Sequence, residues 1–314
     1  MTSSTTAHEV AATPTAGERT ARPKRAATHF DANPAKAGWL TKTVLIVLCV
    51  AWMVPLFGTF VTSFRTRDAA NSTGWWTIFT HPSTISNLTL DNYDKAIFGE
   101  NVDMGRAFVN SLAITLPATF IPLLIACFAA YAFTFMDFPG RDFLFLLIVS
   151  LLVVPNYVAF VPMLKLYRDL GMGGTFPSVW LAHIGFGMSL AIYILRNYMA
   201  TLPKTVIESA KIDGASHFQT FWRLVLPMSI PAVAAFAIFQ FLWVWNDLLV
   251  ALVFIGPGEN EPVTVGLTHL KQQLGQGWEL TTAGGFFTMI VPILVFLALQ
   301  RFFVRGLTAG AVKG

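Results

Sequence analysis

Apolar positions along the chain gather into six long runs, about Leu40–Ser63, Phe108–Phe135, Phe143–Leu166, Ser178–Tyr198, Ile230–Ile255 and Gly284–Phe303. Each can cross a bilayer as a helix, because a span needs about 20 predominantly apolar residues. A helix also pairs its own backbone groups in lipid. The expected fold is therefore all-α: a polytopic membrane protein with six transmembrane helices. Before the first run, residues 1–39 are rich in Thr, Ala, Ser and Pro and carry Arg19, Arg22, Lys24, Arg25 and Lys36. This segment cannot build a core and is expected to be a disordered basic tail. No cleaved signal peptide is expected, because the apolar run starts too late and is too long. Residues 40–303 form the transmembrane domain, with long polar connections at about 64–107 and 256–282, and residues 304–314 form a short Gly-rich tail.

Composition agrees with the pattern. Of 314 residues, 54% are hydrophobic and 12% charged, against about 25% charged in a soluble protein. Cys49 and Cys127 lie in apolar runs, so no disulfide framework is indicated. The net charge of +4 matters through its placement, and no nucleic-acid partner is expected. With the N-terminus inside, 14 of the 21 Lys and Arg residues fall on the cytoplasmic side and 7 outside. That is the asymmetry of the positive-inside rule. Both termini and the segment Leu202–Pro231 then face the cytoplasm.

Leu202–Pro231 (LPKTVIESAKIDGASHFQTFWRLVLPMSIP) is the one long polar interruption in the apolar second half. Two short helices joined at a glycine are expected. Thr205 with Glu208, and Ser216 with Gln219, have the spacing of capping boxes. Gly214 stands where a helix C′ residue adopts the left-handed conformation. Ala215, Phe218, Phe221, Trp222 and Val225 recur at helical spacing as one apolar face. Pro227 and Pro231 mark the end of that helix and the start of the next. On these residues alone the segment is a capped amphipathic connector lying on the membrane surface.

The order E-S-A-K-I-D-G-A, Glu208 to Ala215, followed by L-x-L-P ending at Pro227, resembles the EAA loop of ABC-type importer permeases. Glu208, Ala210, Gly214, Ala215 and Pro227 match that pattern, Ser209 replaces an alanine, and Asp213 precedes the glycine. Further segments resemble the sugar-transporting members: L-D-N-Y at Leu90–Tyr93, Asn110–Ser111, Ala129–Arg141 with its Pro139-Gly140 turn, and W-N-D at Trp245–Asp247. The tail F-V-R-G-L-T-A-G-A-V-K-G, Phe303–Gly314, resembles that of maltose-type permeases. The resemblance implies the type I ABC importer permease fold. It also implies that Glu208, Ser209, Ala210, Asp213, Gly214, Ala215 and Pro227 belong to a coupling loop docked on a cytoplasmic ATPase dimer. Arg305, Gly306, Gly310, Lys313 and Gly314 would extend into that dimer's interface. A second homologous permease, an extracytoplasmic solute-binding protein near the loop at 256–282, and a sugar substrate complete the implied partners, with membrane lipid around them.

Trp243, Asn246 and Asp247 admit two readings. A carboxylate in a span is costly and should face a bundle interior or a wet cavity, where aromatic faces suit sugar rings and Asn and Asp suit hydroxyls. Alternatively, Asn246 and Asp247 form a helix–helix hydrogen bond. Pro117, Pro122, Pro155 and Pro162 lie within spans, as packing kinks or as gating elements. His183, in span four, is expected to be a satisfied polar contact and not a proton relay.

No G-x-x-x-x-G-K-[ST] is present, so ATP is expected to be bound by a partner. No catalytic residue, metal or cofactor is expected in this chain. The function expected is the permease subunit of an ATP-driven importer of a sugar, an oligosaccharide or α-glucoside, working by alternating access in the cytoplasmic membrane. Other small solutes, peptides and polyamines among them, are the runner-up within transporters. A channel or receptor would lack an ATPase partner. An intramembrane enzyme would need facing acidic, His or nucleophilic groups, and Asp247 and His183 stand nearly alone.

Overall fold

The computed structural model describes residues 38–99, 103–273 and 277–308. The basic N-terminal segment up to residue 37, and Gly310, Lys313 and Gly314 of the tail, lie outside them. The helices are α1 (Trp39–Ser63), α2 (Arg67–Ser72), α3 (Thr77–Thr80), α4 (Asp91–Phe98), α5 (Met104–Phe135), α6 (Arg141–Ser150), α7 (Phe160–Asp169), α8 (Phe176–Met199), α9 (Lys204–Ile212), α10 (His217–Thr220), α11 (Leu226–Asn246), α12 (Leu249–Phe254), α13 (Val263–Gln273) and α14 (Trp278–Thr308). The chain divides into two units, Met1–Trp52 and Met53–Gly314. Every described residue of the first is exposed. In the second, α5 packs most extensively against α8, and α11 packs against α5, α8 and α14.

Five helical stretches are long and apolar enough to cross a membrane: Trp39–Ser63, Met104–Phe135, Phe176–Met199, His217–Asn246 and Trp278–Gln300. The third expected span is instead a pair of segments, Arg141–Val153 and Asn156–Asp169, bent by 94° at their junction. The break falls at Pro155, which disfavours helical backbone in the residue before it. The fifth expected span also shifts. It starts at His217 and ends at Asn246, and α12 follows as a separate short helix. The expected external loop at 256–282 contains α13, which buries Val263, Val265 and Leu270 against α5 and α14. The tail expected from residue 304 begins inside α14, which continues through Arg305 and Gly306 to Thr308.

Three of the in-span prolines are answered by side chains from neighbouring helices. A helical proline leaves the carbonyl four residues earlier without its N–H donor, and in lipid no solvent replaces it. Pro117 frees the Ala113 carbonyl, which accepts from Trp180 Nε1 of α8 at 3.0 Å. Pro122 frees Ala118, which accepts from Gln240 Nε2 of α11 at 3.2 Å. Pro292 of α14 frees Thr288, which accepts from Trp245 Nε1 of α11 at 3.2 Å. Three of the helix contacts that build the bundle are thus stitched where a proline opened the backbone. Gly187 makes room for one stitch, since a Cβ there would lie 2.7 Å from Gln240 Oε1.

Two asparagines from the sequence motifs fasten the long connections. Asn92 of L-D-N-Y is buried and donates to the carbonyls of Ser63, at 2.9 Å, and Arg65, at 2.8 Å. Tyr93 Oη meets Ser63 Oγ at 2.8 Å. Asn110 donates to the carbonyls of Glu259 and Glu261, and Ser111 Oγ accepts from the Val263 amide at 2.9 Å. Asn110→Ala leaves both carbonyls without that donor. It should cost about 1–3 kcal/mol, read as a lower unfolding midpoint of the purified protein. An unchanged midpoint would mean the bonds carry no net stability.

Candidate functional site

Leu202–Pro231 folds as a tight elbow. α9 ends in a Schellman motif: the Ala215 amide donates to the Ala210 carbonyl at 3.0 Å and the Gly214 amide to Lys211 at 3.1 Å. Gly214 has φ +78°, as the C′ position of this motif requires. Ser216 then opens the second helix with a complete capping box, donating its amide to Gln219 Oε1 at 3.0 Å and accepting from the Gln219 amide at 3.3 Å. The expected Thr205–Glu208 box does not form. Pro203 takes the N-cap position, so Thr205 lies inside the first turn of α9.

The second helix does not stop at Pro227. A π turn at Phe221–Val225 joins α10 to α11 in one stretch, with the Leu226 amide donating to the Phe221 carbonyl five residues back. This wider register passes the chain into Pro227 without a break. Nor is the apolar face of this helix buried as one. Phe221 and Val225 are enclosed, while Phe218 and Trp222 remain exposed at 67% and 41%. The Phe221 ring stacks on Phe128 of α5, with centroids 4.6 Å apart. Tyr131 Oη of α5 meets His217 Nδ1 at 3.0 Å. Ile207 of α9 enters the same core cluster as Phe221 and Val225, together with Leu195 and Met199 of α8. Glu208, Ser209, Asp213 and Gly214 are left exposed, and Ala210 and Ala215 are half-buried.

The residues expected to line a solute pathway separate. Trp243 borders a cavity of about 360 Å³ at the bend of the third span, together with Asn156, Ser189, Gly185, Phe186 and Phe239. Asn246 is exposed, and its amide donates to its own helix at Leu242, 2.7 Å away. Asp247 caps the next turn, its Oδ1 accepting from the Val250 amide at 2.8 Å. No hydrogen bond joins Asn246 to Asp247 among the described residues, while Asp247 also borders a small enclosed cavity with Ser111, Thr115 and His183. Asn156 and Ser189 were not signalled by any motif. Pro155 beside Asn156 was the available clue. His183 is buried with its ring centroid 5.9 Å from that of Trp243, and its Nδ1 has no hydrogen-bond partner among the described residues. The expected satisfied contact is therefore not formed there. Among the described residues no group of three or more His, Cys, Asp or Glu could hold a metal.

Residues 107–309 match the family model for the binding-protein-dependent transport system inner membrane component. The osmoprotective compounds uptake permease protein GgtD of Synechocystis is 53% identical over 270 residues, 86% of this chain and 90% of its own length. The alpha-glucoside transport system permease protein AglG of Rhizobium meliloti is 51% identical over 76% of this chain and 63% of its own. A chain of a bacterial ABC transporter involved in import of the acidic polysaccharide alginate superposes with a TM-score of 0.67 at 18% identity, covering 84% of this chain and 95% of that one. That likeness identifies the fold as that of an ABC importer permease. The chain belongs to the binding-protein-dependent transport system inner membrane components, as a multi-pass permease subunit.

Proposed function

We propose that this permease carries a sugar, an α-glucoside or short oligosaccharide, across the cytoplasmic membrane by alternating access, driven by a separate cytoplasmic ATPase dimer. In this reading both termini and the elbow around Gly214 face the cytoplasm, a placement supported by the distribution of Lys and Arg. The observation that carries the reading is the rooting of the elbow. Ile207, Phe221 and Val225 sit in one core with α5 and α8, while Glu208, Ser209, Asp213 and Gly214 stay on the surface. A push on the exposed side is thereby transmitted to the helices that flank the cavity. The end of α14, at Arg305 and Gly306, is the second element assigned to the same ATPase. A second, homologous permease completes the pathway, and an extracytoplasmic solute-binding protein delivers the sugar.

The cavity at the bend suits such a solute. Its volume falls at the lower end of the range for small-ligand sites, about 300–1,000 Å³. Trp243 offers a flat apolar face, and Asn156 and Ser189 offer hydrogen-bonding groups. The substrate class is supported by the alpha-glucoside relative. The relative named for osmoprotective compounds keeps other small solutes as the alternative.

Isolation of the chain from its native membrane with a nucleotide-binding subunit tests the ATP-driven reading. Sugar flux through the chain without such a subunit would establish a channel instead. Trp243→Ala should reduce uptake about tenfold, the scale of one lost aromatic contact of up to ~1.5 kcal/mol. ATP hydrolysis stimulated by the solute-binding protein should remain. Equal uptake by the variant and the wild type would remove Trp243 from the pathway.

A further inference from the structure

A second cleft, of about 330 Å³, opens between the end of α5, the start of α6, the end of α8 and α9. Its charged lining consists of Arg141, Arg196, Lys204 and Lys211 against Asp137 and Glu208. Arg141 is already engaged, by Asp137 at 2.8 Å and Asp142 at 3.3 Å. The other three cations have no carboxylate within ion-pair distance among the described residues, and neither has Glu208 a cation. Arg196 is half-buried. Its guanidinium lies over the Phe145 ring, 4.9 Å from the centroid, and its Nε is buried without a partner. Among the described residues its one side-chain hydrogen bond is a long one, 3.4 Å from Nη1 to Asn197 Oδ1. A desolvated donor on a fixed cation, beside two more cations, leaves a positive site that nothing among the described residues fills. An arginine fork is well matched to phosphate oxygens.

From this cleft we infer that the permease binds a phosphate anion between α8 and α9, supplied by the headgroup of an anionic phospholipid. The inference rests on the orientation proposed above, which sets the cleft at the cytoplasmic surface. Two features point to lipid. The cleft sits where the apolar helices α5 and α8 end, the level of the headgroups. Beside it α6 exposes Phe143, Leu146 and Leu147, at 73%, 65% and 48%, along which acyl chains can lie. Basic pockets between membrane helices on the cytoplasmic side bind such headgroups. The site also adjoins the elbow, because Ile207, Glu208 and Lys211 of α9 line it. A bound headgroup thereby tethers the moving segment to the membrane surface.

Native mass spectrometry of the full-length permease, in the complex in which it is isolated, tests this. Phosphatidylglycerol, phosphatidylcholine and inorganic phosphate are titrated separately. Phosphatidylglycerol should be retained at least five-fold more tightly than phosphatidylcholine. Arg196→Gln should lower that retention about five-fold, as expected for one cation near an anionic surface, and Arg196→Lys should lower it less. Lys204→Gln with Lys211→Gln, on exposed positions, gives the same readout should Arg196→Gln fail to fold. Retention of inorganic phosphate that is lost in Arg196→Gln, with no preference between the lipids, assigns the same anion site to soluble phosphate. Equal retention of both lipids with no phosphate bound, or retention unaltered in all variants, overturns the site. Sugar uptake by the same preparations reads the transport proposal separately. Intact uptake with no anion preference sinks only the site, and ATP-independent flux with the preference intact sinks only the transport reading.

Discussion

Trp180→Phe should lower the stability of the permease by about 1 kcal/mol, and Pro117→Ala in the same chain should recover most of that loss. Phenylalanine keeps the aromatic body but removes the Nε1–H that pairs with the Ala113 carbonyl. Alanine at 117 returns the backbone N–H that a helix would supply to that carbonyl. The tryptophan donor is then redundant. Hydrogen bonds between membrane helices average about 0.6 kcal/mol and reach about 1.7. The cost rises toward the upper value where the orphaned carbonyl finds no other donor. The same cycle applies to Gln240→Leu with Pro122→Ala, and to Trp245→Phe with Pro292→Ala. For Gln240 the loss should be partly offset, because its Oε1 is buried without a hydrogen-bond partner among the described residues and leucine removes it. Unfolding midpoints of the single and double variants give the coupling energy directly. Strictly additive losses would show that the three side chains pack beside the prolines without compensating them.

Substitution of Gly214 should impair transport in an order set by backbone conformation and not by size. Its φ of +78° is costly for residues bearing a Cβ, by roughly 1–2 kcal/mol, with Asn the most tolerant. A Cβ added there meets nothing within 4 Å, so the penalty is conformational and not a clash. Gly214→Asn should transport best, Gly214→Ala less, and the β-branched Gly214→Val least, about tenfold below wild type. If uptake instead follows side-chain volume, with Ala better than Asn, the glycine is needed for close contact with a partner surface. The Schellman turn would then be incidental. Measuring ATP hydrolysis in the same preparations separates lost coupling from lost assembly.

The elbow was legible in the sequence because its signals are local. A glycine after a helical run and an S-x-x-Q box each act over three to six residues, and both form as read. The Thr205 box failed for an equally local reason, since Pro203 starts the helix two residues earlier than that box needs. The spans were legible from hydropathy, but the 94° bend in the third was not. Both halves of that span are apolar, and hydropathy measures composition, not direction. Pro227 read as a break because a proline in an α-helix removes a bond, whereas the π turn before it changes the register in which bonds are counted. Trp245 illustrates what sequence cannot reach. Its Nε1 serves a carbonyl freed by Pro292, 47 residues further on, and only packing brings α11 beside α14. Asn246 and Asp247 carried the chemistry expected of a pathway, yet their side chains answer backbone groups within four residues. The cavity that suits a solute draws instead on Asn156 and Ser189, from two other helices.

The most direct test of the transport account is sugar uptake into proteoliposomes holding the isolated complex. ATP is supplied only on the side of the Gly214 elbow and the solute-binding protein only on the other. Accumulation against a gradient that requires both additions, and that falls in the order Gly, Asn, Ala, Val at position 214, is the predicted result. Equilibration of sugar without ATP would contradict it.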